Sequence, residues 1–178
     1  MKERTLLFTN IALFAGAILV LGTIQSSLWF QIFGYFPAPA LWLPTLVYVA
    51  LFRSTLETIL FSYIAGFVLS TMTAMPEGLL MAVCLALALS VQILKQRIYW
   101  SGASYFMMVC GFGALFFHFY HWGATFLFEE VPLTSPQIAS WLIESLLTPL
   151  IAPMTFPLFQ WFDRLTGREQ STDLSATV

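Results

Sequence analysis

The chain has 178 residues, 59% of them apolar and only 9% charged, with a formal net charge of −2. Soluble domains carry roughly 25% charged residues, so the composition excludes a water-soluble fold and points to one membrane-embedded domain. Seven basic residues, spread without a patch, exclude nucleic-acid binding.

Residues 1–4 are basic and lead into an apolar run over 5–24. A signal peptide has a core of about 7–15 apolar residues and a small-residue cleavage site. This run is longer, and GTIQSSLW is a poor cleavage site, so it reads as a retained first span. Ala12, Ala15 and Gly16 mark a face where another helix can approach closely. Residues 25–36 form an aromatic connector with Trp29, Phe30, Phe33, Tyr35 and Phe36, a composition suited to the membrane interface. A second, shorter span follows over 39–52, interrupted by Pro44.

Arg53 separates it from a third span, 54–73, in which Ser54, Thr58, Ser62, Gly66 and Ser70 recur every fourth residue. That row is a candidate helix-packing or partner-contact face, and its drift around the helix suits a tilted crossing. Glu57 lies one turn from Arg53: it either pairs with that arginine at headgroup level or has a mechanistic role. The turn AMPEG leads into a fourth span, 78–94, followed by Lys95, Gln96 and Arg97. The fifth span, 99–128, is long and aromatic, so it tilts or projects beyond the lipid. Cys84 and Cys110 sit in apolar runs and read as packing residues rather than a disulfide or metal pair.

The sixth span, 138–162, lies in the stretch 135–168, around which the chain is organised. At about 100° per residue, Gln137, Ser140, Glu144, Thr148 and Thr155 share one face, a candidate polar stripe or pocket wall. Pro149, Pro153 and Pro157 lie roughly opposite and deprive three carbonyls of their helical donors. Lipid cannot replace those donors, so this helix is expected to be enclosed by others. Glu144 reads either as a hydrogen-bonded structural acid or as a residue lining a contact or pocket.

Six crossings with both termini cytoplasmic put Lys2, Arg4, Arg53, Lys95, Arg97, Arg164 and Arg168 on the inside. The outer loops then carry Glu77, Glu129 and Glu130 and no basic residue. The fold expected is all-α, a polytopic bundle of six transmembrane helices over 1–168, with a short disordered cytoplasmic tail, 169–178. No GxSxG, HExxH or Gly-rich phosphate loop is present. His118 and His121 could join Glu129 or Glu130 at a metal ion, but without a fixed third ligand they read as interfacial residues. Neither an enzymatic activity nor a cofactor is expected.

Two regions carry a family resemblance. LPTLVYVALFRSTLETILFSYIAGFVLSTMTAMPEGLL, residues 43–80, has a proline-started span, a basic turn and a glycine-containing span closing in a small-residue turn. LLTPLIAPMTFPLFQWFDRLTGR, residues 146–168, has an AP..FP core and a terminal DR. Both resemble the bacterial rod shape-determining protein MreD family, with Pro44, Arg53, Gly66, Pro76, Gly78, Ala152, Pro153, Phe156, Pro157, Asp163 and Arg164 at matching positions. Ser70 stands where members commonly have an acid and Thr55 near a common proline, so that acid's role does not transfer. The resemblance implies a non-enzymatic scaffold of the cell-wall elongation machinery in the bacterial inner membrane. Its implied partners are the lipid bilayer, MreC, and through MreC the MreB filaments, RodA and a class B penicillin-binding transpeptidase. It also implies similarity in fold to the substrate-binding subunits of vitamin transporters, which gives the alternative function: a small-molecule-binding subunit of a transporter.

Overall fold

The structure is a computed structural model that describes residues 2–73, 75–98, 102–129 and 134–167. Among these residues there is no strand. The helices are α1 (Lys2–Thr23), α2 (Trp29–Phe33), α3 (Leu43–Phe52), α4 (Thr55–Ser70), α5 (Glu77–Arg97), α6 (Ala103–Glu129) and α7 (Ser135–Leu165). Four helical stretches are long and apolar enough to cross a membrane: Phe8–Phe33, Glu77–Arg97, Ala103–Leu127 and Gln137–Leu165. The architecture is that of a helical membrane protein. Arg168, Glu130 and the tail 169–178 lie outside the described residues.

The enclosed element is α3, not α7. Every residue from Leu43 to Leu51 is buried, and α3 touches α1, α4, α5, α6 and α7. A helix apolar on all sides belongs in a core, and this one is only 10 residues long, about 15 Å. Pro44 does not interrupt it. It occupies the first turn, where its missing N–H costs no helical bond.

The aromatic connector is also revised. A π-helical turn, Ile24–Leu28, carries α1 straight on into α2, because nothing between 25 and 33 breaks a helix. Gly34, at φ 61°, ends it. The chain then enters the bundle without helical structure, so its buried N–H groups need other partners. The Ala40 N–H donates to Thr148 Oγ1 at 3.0 Å, and the Leu41 N–H donates to Gln25 Oε1 at 2.9 Å. Gln25 sits in the π-turn, whose extra residue re-aims side chains.

The second helical hairpin, α4 and α5, is closed at Gly66. A Cβ there would lie 2.6 Å from the Met81 Cα, so only glycine allows this approach.

Along α7, one face packs inward through Thr148, Ala152, Thr155, Phe159 and Phe162. The opposite face, including Leu146, Leu150, Met154 and Trp161, is exposed. The expectation that this helix is surrounded is therefore corrected: the stripe is satisfied from one side, chiefly by α6 and α3. Of the prolines, Pro157 is exposed and Pro153 half-buried. Gly111 of α6 packs on Pro149, and its missing Cβ would lie 3.3 Å from the freed Ser145 carbonyl.

Candidate functional site: the polar face of the last helix

The inward face of α7 carries a cluster of polar side chains at each end. At the C-terminal end Asp163, 2% exposed, forms an ion pair with Arg53, the C-cap of α3. The Tyr48 hydroxyl donates to its second carboxylate oxygen at 2.8 Å. From α1, the Asn10 amide donates to Asp163 Oδ1 at 3.4 Å and to Thr166 Oγ1 at 2.9 Å, and its carbonyl oxygen accepts from Arg53 at 3.2 Å. The Arg53 guanidinium also lies 5.9 Å from the Phe14 ring centroid, a cation–π distance. One knot thus ties α1, α3 and α7, and an aromatic layer of Phe14, Tyr48, Phe159 and Phe162 seals it from the bundle interior.

Gln92 of α5 completes this end. Its amide donates to the Ala50 carbonyl at 2.7 Å, the Arg53 carbonyl at 3.2 Å and Thr58 Oγ1 at 2.9 Å. Carbonyls at a helix C-terminus lack intrahelical donors, and here a neighbouring helix supplies one. Asn10 of α1, Arg53 at the end of α3, Gln92 of α5 and Asp163 of α7 therefore meet at one level of the bundle, with Lys95, Arg97 and Arg164 close by in sequence.

Nearer the N-terminal end of α7, Glu144 Oε2 lies 2.9 Å from His118 Nε2 of α6. The imidazole stacks on Trp141, centroids 5.4 Å apart and planes within 8°. The approach is close but off the axis of a ring N–H bond, so His118 Nε2 makes no hydrogen bond to the carboxylate and the two groups are in polar contact only. Trp122 Nε1 and Ser145 Oγ, on the same two helices, are buried without hydrogen-bond partners. Between the two clusters, Thr148 accepts the Ala40 N–H and donates to the Glu144 carbonyl at 2.7 Å.

Most of the stripe is brought together. Glu144, Thr148 and Thr155 face the bundle, and the Thr155 hydroxyl donates to the Ala152 carbonyl at 2.9 Å. Ser140 is half-buried. Gln137 is not part of the wall: it is exposed and closes the start of α7 by accepting the Thr134 N–H at 3.0 Å.

The serine row divides in a similar way. Thr58, Ser62 and Gly66 are buried inside the chain's own bundle. Ser54 caps α4 by accepting the Glu57 N–H at 3.4 Å, and half-buried Ser70 donates to the Phe67 carbonyl at 2.7 Å. Pro76 is the N-cap of α5, Gly78 is open, and Arg164 is exposed.

Asn10, Tyr48 and Gln92 were not singled out by sequence. Asn10 and Gln92 carried a signal nonetheless, since a side-chain amide in an apolar span seeks an interhelical partner. Tyr48 carried none. Among the described residues no group of three His, Cys, Asp or Glu is placed to hold a metal ion. No known family, characterised protein or solved structure matches the chain in comparisons of sequence and fold.

Proposed function

We propose that the protein is a membrane scaffold of the bacterial cell-wall elongation machinery. In this reading it resides in the inner membrane, holds the transmembrane helix of MreC, and is linked through MreC to MreB, RodA and a class B transpeptidase. The observation that carries the reading is the Arg53–Asp163 pair. Both residues are among the positions that the resemblance matches, in separate regions of the chain, and they meet in the fold.

Further support comes from what the polar groups do. The α7 stripe and the Asp163 knot are spent largely on tying the chain's own helices together. On α1, Ala12 and Gly16 face outward, and a Cβ on Gly16 would meet nothing within 4 Å. Small residues on an outward face let a partner helix approach closely.

The accompanying topology has six crossings and cytoplasmic termini. Its second crossing is α3 together with the non-helical segment before it, and its third is the 16-residue α4, about 24 Å long. Arg53, Gln92 and Asp163 meet at one level. Lys95 and Arg97 in the last turn of α5 and Arg164 in the last turn of α7 therefore lie toward the same end of the bundle as the buried Arg53, a one-sided placement that favours it.

Co-purification with MreC from several mild detergents tests the scaffold. Retention of MreC by the native chain and its loss in Gly16→Leu is the expected result. Failure to retain MreC in any of them overturns the reading.

The His118–Glu144–Trp141 cluster favours the alternative, a small-molecule-binding subunit, because convergent polar groups among aromatic rings are a feature of ligand sites. Native mass spectrometry separates the two. A stoichiometric bound metabolite supports the alternative, and empty protein supports the scaffold.

A further inference from the structure

We infer that the groove between α5 and α6 binds an anionic glycerophospholipid, one acyl chain lying in the groove and the phosphate meeting Arg97. The groove has a volume of about 320 Å³ and apolar walls that include Leu87, Leu94, Val109, Phe112 and Phe116. Arg97, in the last turn of α5, lines its end. Ser90 and Tyr120 also line it, but their hydroxyls bond each other at 2.7 Å and need no polar ligand. The site therefore offers one cation and an otherwise hydrocarbon-compatible wall.

Shape and charge both select the occupant. Along α5 the face from Arg97 to Leu87 runs about 15 Å, half of a hydrocarbon core about 30 Å thick. A lipid chain from one leaflet matches that depth. Neither of the close contacts between ionisable side chains found among the described residues, Arg53–Asp163 and His118–Glu144, involves Arg97. Its planar fork of donors is suited to a phosphate, and Lys95, two residues earlier, adds charge near the same surface. An apolar partner helix would fill the groove but leave the guanidinium unmatched. This inference needs only that the chain is embedded in a membrane, and it stands apart from the scaffold reading.

Delipidated full-length protein, titrated with phosphatidylglycerol or phosphatidylcholine in detergent and read by native mass spectrometry, tests it. The native chain should retain phosphatidylglycerol in preference. Arg97→Gln should weaken that retention about fivefold, the worth of one basic side chain at an anionic lipid surface, while Arg97→Lys keeps most of it. Ile93→Trp, which narrows the groove, should lower retention of both lipids. Glycerol phosphate, a headgroup without chains, should not compete.

Equal retention of the two lipids by the native chain overturns the inference. So does an unchanged preference in Arg97→Gln, displacement by glycerol phosphate, or a lipid-free dimer. Arg97 and Ile93 are both exposed, so these variants should fold. If either fails to purify, the native chain's choice between the two lipids decides alone.

Discussion

Arg53 and Asp163, 110 residues apart in the chain, form one buried ion pair that the Tyr48 hydroxyl closes from the side. Removing one partner of such a pair leaves the other charge buried without compensation, at a cost of about 3–5 kcal/mol. Asp163→Ala and Arg53→Ala should each lower the thermal midpoint in detergent sharply. Arg53→Met combined with Asp163→Leu should recover part of the loss, because no isolated charge remains. A double variant as unstable as the sum of the singles would show that the two residues do not act as a pair.

Gly66 tests the α4–α5 contact. An added Cβ meets the Met81 backbone rather than a movable side-chain tip, so the two helices must separate. Gly66→Ala should cost about 1–3 kcal/mol, the usual range for overpacking, and Gly66→Leu should prevent folding. Gly16→Ala serves as the control, since its Cβ meets nothing within 4 Å. Equal melting temperatures for Gly66→Ala and Gly16→Ala would show that the close approach is wrong.

Gln92 bonds two carbonyls near the end of α3 and one threonine hydroxyl. The amide has two N–H groups to share among these three acceptors, and Gln92→Leu removes both inside an apolar bundle. Thr58 keeps its own bond to the Val49 carbonyl, so the two α3 carbonyls are the groups left stranded. A loss of about 1–3 kcal/mol per stranded group is the expected scale, read as increased protease sensitivity around Arg53. Protection there unchanged from the native chain would contradict this role.

Glu144 and His118 should be energetically coupled across the α6–α7 seam. A double-mutant cycle of Glu144→Ala and His118→Ala should give about 0.5–3 kcal/mol of coupling, as residues in contact do. Additive losses would mean that the 2.9 Å approach contributes nothing. Glu144→Gln keeps the shape but replaces the carboxyl group, so its cost separates the carboxyl's contribution from that of packing.

Composition and periodicity were enough to read an all-helical, membrane-type chain. Helical spacing also put Glu144, Thr148 and Thr155 on one side of α7 and Thr58, Ser62 and Gly66 on one side of α4, though Gln137 and Ser54 lie exposed outside those packed faces. Those features depend on local pattern: helical spacing puts Thr148, Ala152 and Thr155 on one side whatever surrounds them. The same pattern misplaced the enclosure. Three prolines and a polar stripe made α7 look surrounded, whereas α3, with no polar stripe, occupies the centre. Apolar sequence reads alike in lipid and in a protein core, and only the packing of five helices around Leu43–Phe52 separates the two cases.

Pairings across the chain were decided by tertiary structure. The sequence offered Arg53 a nearby acid, Glu57, while the fold also brings it Asp163 and Asn10 from helices distant in the chain. Residue types and spacing determine what each helix can bury and what it must have satisfied. Which partner satisfies it depends on distances between helices, which no local spacing encodes.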